Sequence, residues 1–323
     1  MSADPTFQPA WWLPGGHAQT LWPVMFRKRC PLSLRHEMIE LPDGDALELA
    51  HLIDNGGPRV LVLHGLEGSL HSHYANGLLH ALDQAGFNAT FMFFRGCNGQ
   101  PNRLPRSYHS GDTGDIRFII GHLADTSRPV SAAVGYSLGG NVLLKFLGEE
   151  GSRCKLGAAA AVSVPYRLDE AADRLNKGLS RVYQAHLLAS LRRNYKHKFA
   201  RMPSPLSVDV DKLKTFWDFD DQVTAPLHGF KGAEDYYRRA SSRQFLADIG
   251  IPTLLLHALD DPFMYPRTPP DEKALSADTR LELSRHGGHV GFVGGGCAPP
   301  TGYFVECRIV EYLRARIWPD PTT

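Results

Sequence analysis

Apolar residues along the chain fall into two patterns, short unbroken runs and longer stretches spaced three to four residues apart, and the two alternate. An unbroken run such as Arg59-Val60-Leu61-Val62-Leu63-His64 suits a strand covered on both faces, whereas helical spacing marks an amphipathic helix. Strands are predicted over 59–64, 88–94, 131–134, 157–164, 253–257 and 280–284. Between and after them, helical spacing appears in four places. These are Tyr74, Leu78, Leu79 and Leu82 before a capping Gly86, then Ile116, Ile119, Ile120 and Leu123, then Leu138, Val142, Leu143, Phe146 and Leu147, and finally Val305, Ile309, Val310, Leu313 and Ile317. Ahead of this series, 36–41 and 46–53 flank Pro42-Asp43-Gly44-Asp45, an Asp-Gly hairpin signal. Strand and helix alternating in this way predict an α/β fold with a mostly parallel, eight-stranded, doubly wound sheet.

Two stretches break the alternation. Residues 1–35 are rich in Trp and Pro without periodicity and read as an irregular packing arm. From 165 to 250 no strand run occurs, but Leu168, Ala171, Leu175, Leu179, Val182 and Leu191 recur at helical intervals. That stretch is expected to be a helical cap or lid inserted into a core of 36–164 and 251–323.

Composition narrows the function. A chain of 323 residues, 43% hydrophobic and 21% charged, is that of a soluble globular protein, and a formal charge of +1 supplies no field to attract nucleic acid. Cys30, Cys97, Cys154, Cys297 and Cys307 are scattered with no C-x-x-C pair, unlike a disulfide framework or a zinc site, and a reducing compartment is expected. Met1-Ser2-Ala3-Asp4-Pro5 is not a secretory leader, and no run reaches the ~18 apolar residues of a membrane span, so a cytoplasmic location is expected. Phosphate-loop, dinucleotide and H-E-x-x-H motifs are missing, and His71 with His73 reads as a helix start. No cofactor and no metal are expected. The basic run Arg192-Arg193-Asn194-Tyr195-Lys196-His197-Lys198 reads as a solvated helix face, with transient contact between the lid and an anionic membrane surface as the alternative.

The candidate chemistry centres on Gly135-Tyr136-Ser137-Leu138-Gly139, a G-x-S-x-G sequence between a predicted strand and a predicted helix. There the flanking glycines let neighbouring backbones approach while a serine is held exposed at a sharp turn. A serine hydroxyl needs an imidazole to take its proton and a buried acid to orient that imidazole. In a fold of this kind the acid and then the histidine follow later in the chain. His289, in Gly287-Gly288-His289-Val290-Gly291, is preferred over His286. Asp261, with Pro262 stiffening the bend after the 253–257 strand, is preferred over Asp260. Asp218, Asp220 and Asp221 lie inside the insertion and are a less suitable source of the acid. The amides of Leu138, after the serine, and Leu66, in His64-Gly65-Leu66-Glu67-Gly68, are the expected oxyanion donors.

Taken together, these motifs resemble the YheT-type esterases, α/β-hydrolases akin to the eukaryotic abhydrolase-domain lipases. The resemblance rests on Gly16-His17-Ala18-Gln19-Thr20, His64-Gly65-Leu66-Glu67-Gly68, Arg95-Gly96-Cys97-Asn98-Gly99, the serine motif, Asp260-Asp261-Pro262-Phe263 and Gly288-His289-Val290-Gly291-Phe292, all in order. It implies hydrolysis of a small-molecule or lipid carboxylic ester, with Ser137, Asp261 and His289 as the matching triad. Cys97 departs from the family pattern. An acyltransferase on the same scaffold and a ligand-binding protein with little turnover remain the competing expectations.

Overall fold

The computed structural model describes residues 7–125, 129–295 and 303–318; Cys297 and the N-terminal Met1-Ser2-Ala3-Asp4-Pro5 lie outside these. Eight strands form the main sheet: β1 (Leu34–Glu40), β2 (Ala46–Leu52), β3 (Arg59–Leu63), β4 (Asn88–Met92), β5 (Val130–Tyr136), β6 (Ala158–Val162), β7 (Thr253–Ala258) and β8 (Thr279–Ser284). Their spatial order is β1-β2-β4-β3-β5-β6-β7-β8. β1 and β2 pair as the hairpin that the Asp-Gly turn predicts, β2 joins β4 antiparallel, and every later pairing is parallel.

Helices α1 (Gly16–Phe26), α2 (His73–Gln84), α3 (Thr113–Ala124) and α4 (Leu138–Glu150) precede β6. Between β6 and β7 come α5 (Leu168–Leu175), α6 (Ser180–Phe199), α7 (Phe216–Phe219), a π-helical turn (Asp220–Thr224), α8 (Ala225–Leu227) and α9 (Ala233–Ala240), and α10 (Phe304–Ile317) follows β8. The two faces of the sheet carry separate cores. One packs Val60, Val62, Ala132 and Val134 under Leu78, Leu82, Ile309 and Leu313, and the other packs Leu61, Leu63 and Ala133 under Ile116, Val142, Phe146 and Leu147. This two-sided burial is why the parallel strands read as unbroken apolar runs. Each fully buried Leu or Val contributes about 1.5–3 kcal/mol of transfer free energy.

One expectation needs correcting. The arm is not irregular throughout, because 16–26 is an α-helix. Its inner face is Gly16, Gln19, Thr20 and Pro23 while Leu21, Val24, Met25 and Phe26 are exposed, so the apolar periodicity that normally announces a helix is reversed. Among the described cysteines, Cys30, Cys97 and Cys154 are free.

Candidate active site

Ser137 sits where β5 ends and α4 begins, with φ 51° and ψ −119°, a strained conformation for a residue with a Cβ. The turn is possible because its neighbours are glycines. A Cβ on Gly135 would lie 2.5 Å from the Gly139 oxygen, and one on Gly139 would lie 2.4 Å from the His64 oxygen. The Ser137 N–H donates to Val162 O at 2.9 Å, tying the turn to β6.

His289 Nε2 lies 3.0 Å from Ser137 Oγ, and His289 Nδ1 lies 2.8 Å from Asp261 Oδ2. With Nδ1–H donating to the carboxylate, Nε2 is left free to accept the serine proton. Asp261 is buried, and its Oδ1 accepts the Phe263 N–H at 2.8 Å. The two rival residues pair with each other instead: His286 Nδ1 is 3.2 Å from Asp260 Oδ2, and Asp260 Oδ1 accepts the Gly288 N–H at 2.9 Å. Within the insertion, Asp218 caps α7 through Thr215, Asp221 accepts the Ala233 N–H, and Asp220 accepts from Thr224 and Tyr237.

Several supporting residues were visible in the sequence only as members of a motif, with no sign of what each contacts. The His289 N–H donates to Thr20 Oγ1 at 2.8 Å, and Thr20 Oγ1 donates to Gly16 O at 2.6 Å. Gln19 bridges to both the N–H and the C=O of Val293. After His289, Val290 and Phe292 have φ of 57° and 44°, unusual for bulky residues; the Val290 N–H donates to Ser163 Oγ and the Phe292 N–H to Gly287 O. α1 is thus a brace for the histidine loop, which explains why Gly-His-Ala-Gln-Thr accompanies the other motifs. The Phe263 ring stacks on His289 at 3.9 Å, Tyr183 packs on Phe263, and His17 stacks on Tyr183.

On the other side of Ser137 runs the 64–68 loop. Burial pulls His64 down to about 4, so its ring is neutral, with Nδ1 set against Gly65 O and Nε2 accepting the Phe94 N–H. Gly65 comes so close that a Cβ there would lie 3.3 Å from Ser137 Cβ. The amides of Leu66 and Leu138 have no acceptor among the described residues, and both residues line the cavity beside Ser137. Glu67, at φ 54°, is clamped by Tyr108, whose hydroxyl accepts the Glu67 N–H and donates to Glu67 Oε1, each at 2.9 Å. Asn194 of α6 also donates to the Glu67 carboxylate. Burial pushes the Glu67 carboxyl up. Burial, and then the Glu67 charge, push the Cys97 thiol well up, and Cys97 lines the cavity.

The cavity holds about 300 Å³ and reaches both Ser137 and His289. Its walls include Leu168, Leu175, Leu187, Leu191, Phe216 and Val223 from the 165–250 stretch. The basic run of α6 is only partly a solvated face. Lys196 pairs with Asp211, and Lys198 is buried, donating to Asn102 Oδ1 and Arg106 O, with desolvation pulling it down to about 8. Among the described residues no three His, Cys, Asp or Glu side chains converge as a metal site. No helix among them is long and apolar enough to cross a membrane.

Comparison with known proteins agrees with this architecture. Residues 58–295 match the family model described as the alpha/beta hydrolase fold. The chain is 42% identical over 305 residues to the esterase-designated protein YheT of Escherichia coli (strain K12), covering 92% of this chain and 89% of that one. It is 31% identical over 331 residues to the phospholipase ABHD3 of Homo sapiens, covering 97% and 79%. Among solved structures, the Pyrococcus furiosus esterase Pf2001 superposes with a TM-score of 0.57 at 16% identity, covering 98% of this chain and 100% of that one, a likeness of fold. With its eight-stranded sheet and its elbow serine, the chain belongs to the α/β-hydrolase fold family.

Proposed function

We propose that this chain is a carboxylic-ester hydrolase that works through an acyl-enzyme on Ser137. The observation that carries the reading is the unbroken hydrogen-bond chain from Ser137 Oγ through His289 to the buried Asp261, opening into an apolar cavity. In the first half-reaction, Ser137 Oγ attacks the ester carbonyl carbon while its proton passes to His289 Nε2. Asp261 stabilises the resulting imidazolium through Nδ1–H. The carbonyl oxygen becomes an oxyanion held by the Leu66 and Leu138 amides, the second of which lies at the positive end of α4. Collapse breaks the ester C–O bond, and His289 returns the proton to the departing alkoxide. Water then repeats the sequence, with His289 taking its proton and giving it back to Ser137.

The 165–250 helices act as a lid over an otherwise whole α/β core, since their apolar side chains wall the cavity above Ser137. They exclude water and favour esters with an apolar acyl chain, phospholipids among them, as the name of the phospholipase relative suggests. The reading is tested by labelling with a fluorophosphonate and by ester turnover, comparing wild type with Ser137→Ala. Labelling and turnover are expected only in the wild type, with a loss on the order of 10⁴ or more. A Ser137→Ala variant that still hydrolyses esters overturns the mechanism.

A further inference from the structure

From Phe7 to His36 the sequence holds no Asp or Glu, but it does hold Arg27, Lys28, Arg29 and Arg35. Arg27 is consumed by the buried Glu306 and Arg35 by Glu37. Lys28 and Arg29 are exposed and have no carboxylate partner among the described residues. Beside them lies the outward face of α1. Trp11 is 91% exposed, Val24 64%, Met25 62% and Phe26 57%, with Trp12 and Leu21 close behind. The rings are ordered against one another: Trp12 meets Trp22 at 4.7 Å, and Trp22 meets Phe26 at 4.3 Å.

The patch continues onto a second element. His17 of α1 stacks on Tyr183 of α6 and has its Nδ1 3.0 Å from the Tyr183 hydroxyl, and within four residues of Tyr183 in sequence Leu179, Arg181 and Val182 are exposed. An apolar face this large on the outside of a helix marks an interaction surface, because isolated exposed apolar residues are ordinary but clustered ones are not. Two properties select its partner. Tryptophans flanked by unpaired cations are the composition of a segment lying at the headgroup level of a bilayer. The acid-free stretch also gives the face one sign of charge, complementary to anionic headgroups.

We infer that α1 and the start of α6 seat this protein on an anionic lipid surface, with Trp11, Trp12, Val24, Met25 and Phe26 entering the interface and Lys28 and Arg29 contacting headgroup phosphates. The ring series His17, Tyr183, Phe263 and His289 places the seated face within three ring contacts of the site, and the Thr20 bond attaches the same helix to the histidine loop. Docking stands apart from the proposed chemistry and is measured without turnover.

The test is co-sedimentation of the full chain with vesicles of phosphatidylcholine alone and of phosphatidylcholine mixed with phosphatidylglycerol, at low and high salt. Sedimentation velocity of the free protein is run alongside. The wild type is expected to bind the anionic vesicles in a salt-sensitive way. Val24→Asp/Met25→Asp is expected to weaken binding by about tenfold or more. Lys28→Glu/Arg29→Glu is expected to abolish the preference for phosphatidylglycerol. Both variants should keep wild-type turnover of a soluble short-chain ester, which separates failure of docking from failure of the hydrolase reading. The inference is overturned in any of three ways: if wild type ignores anionic vesicles, if Arg192→Glu/Arg193→Glu rather than Lys28→Glu/Arg29→Glu removes binding, or if Val24→Asp/Met25→Asp splits a dimer while vesicle binding is unchanged.

Discussion

Replacing Asp261 by Asn keeps the size of the side chain but leaves one acceptor oxygen where the structure needs two. The carboxylate now accepts from His289 Nδ1 and from the Phe263 N–H, each at 2.8 Å. If the amide oxygen stays with Phe263, its NH₂ group faces Nδ1, which must then accept, and the proton moves to Nε2. There it points at Ser137 and removes the base. If the amide turns the other way, the Phe263 N–H loses its acceptor and the imidazolium still lacks a counter-charge. Either way the expected loss is about 10⁴ in kcat, which is about 5.4 kcal/mol at about 1.36 kcal/mol per decade. Asp260 supplies the internal control. It differs by one position, but it holds the half-exposed His286 and one backbone amide. Neither contact touches Ser137 or the His289 ring, so Asp260→Asn should cost far less activity than Asp261→Asn. The assay is kcat and kcat/KM on p-nitrophenyl butyrate, with thermal melts to show that both variants fold. Equal losses, or a larger loss for Asp260→Asn, would refute the assignment.

Three further expectations follow from the same structure. Thr20→Val removes the acceptor for the His289 N–H, so kcat should fall about 10–100-fold with KM nearly constant, and Thr20→Ser should restore it; an unchanged kcat would make α1 a passive arm. Esters of increasing acyl length should gain up to about fourfold in kcat/KM per methylene, from about 0.8 kcal/mol each, until the cavity is full, whereas a flat profile would argue against an enclosing lid. His51, His64 and His257 are each pulled down to about 4 by burial, below their unfolded value of 6.5. Their contribution to stability is full above pH 6.5 and is lost as pH falls from there towards 4, so the melting temperature should drop across that window, and a constant melting temperature would refute the burial argument.

The parallel sheet was legible because every central strand is covered on both faces, which writes an apolar run into the sequence. The closing helix at 304–317 was equally plain from its periodicity. Ser137 and His289 stood out because glycines surround both, and glycine is where backbone geometry becomes visible in a sequence. Asp261 was separable from Asp260 only by its proline; the structure distinguishes them by what each carboxylate faces. α1 escaped notice because it buries Gly16, Gln19 and Thr20 and exposes its apolar residues, the reverse of what periodicity detects. Thr20 stood in the Gly16–Thr20 motif, but its role was not legible, since its partner at His289 is 269 residues away. Nor could a run of basic residues reveal that Lys198 turns inward to Asn102 while Lys196 turns outward to Asp211.

α6 is 20 residues long, a single rod of about 30 Å at 1.5 Å per residue. Near its start Tyr183 meets His17, in its last third Asn194 holds Glu67, and near its end Lys198 is anchored to Asn102 and Arg106. These three attachments therefore fix one helix at both ends and near its last third. Through Asn194, the same helix that stacks on His17 also holds Glu67, the residue that follows Leu66, so the loop beside Ser137 is fastened to the 165–250 helices as well as to the sheet.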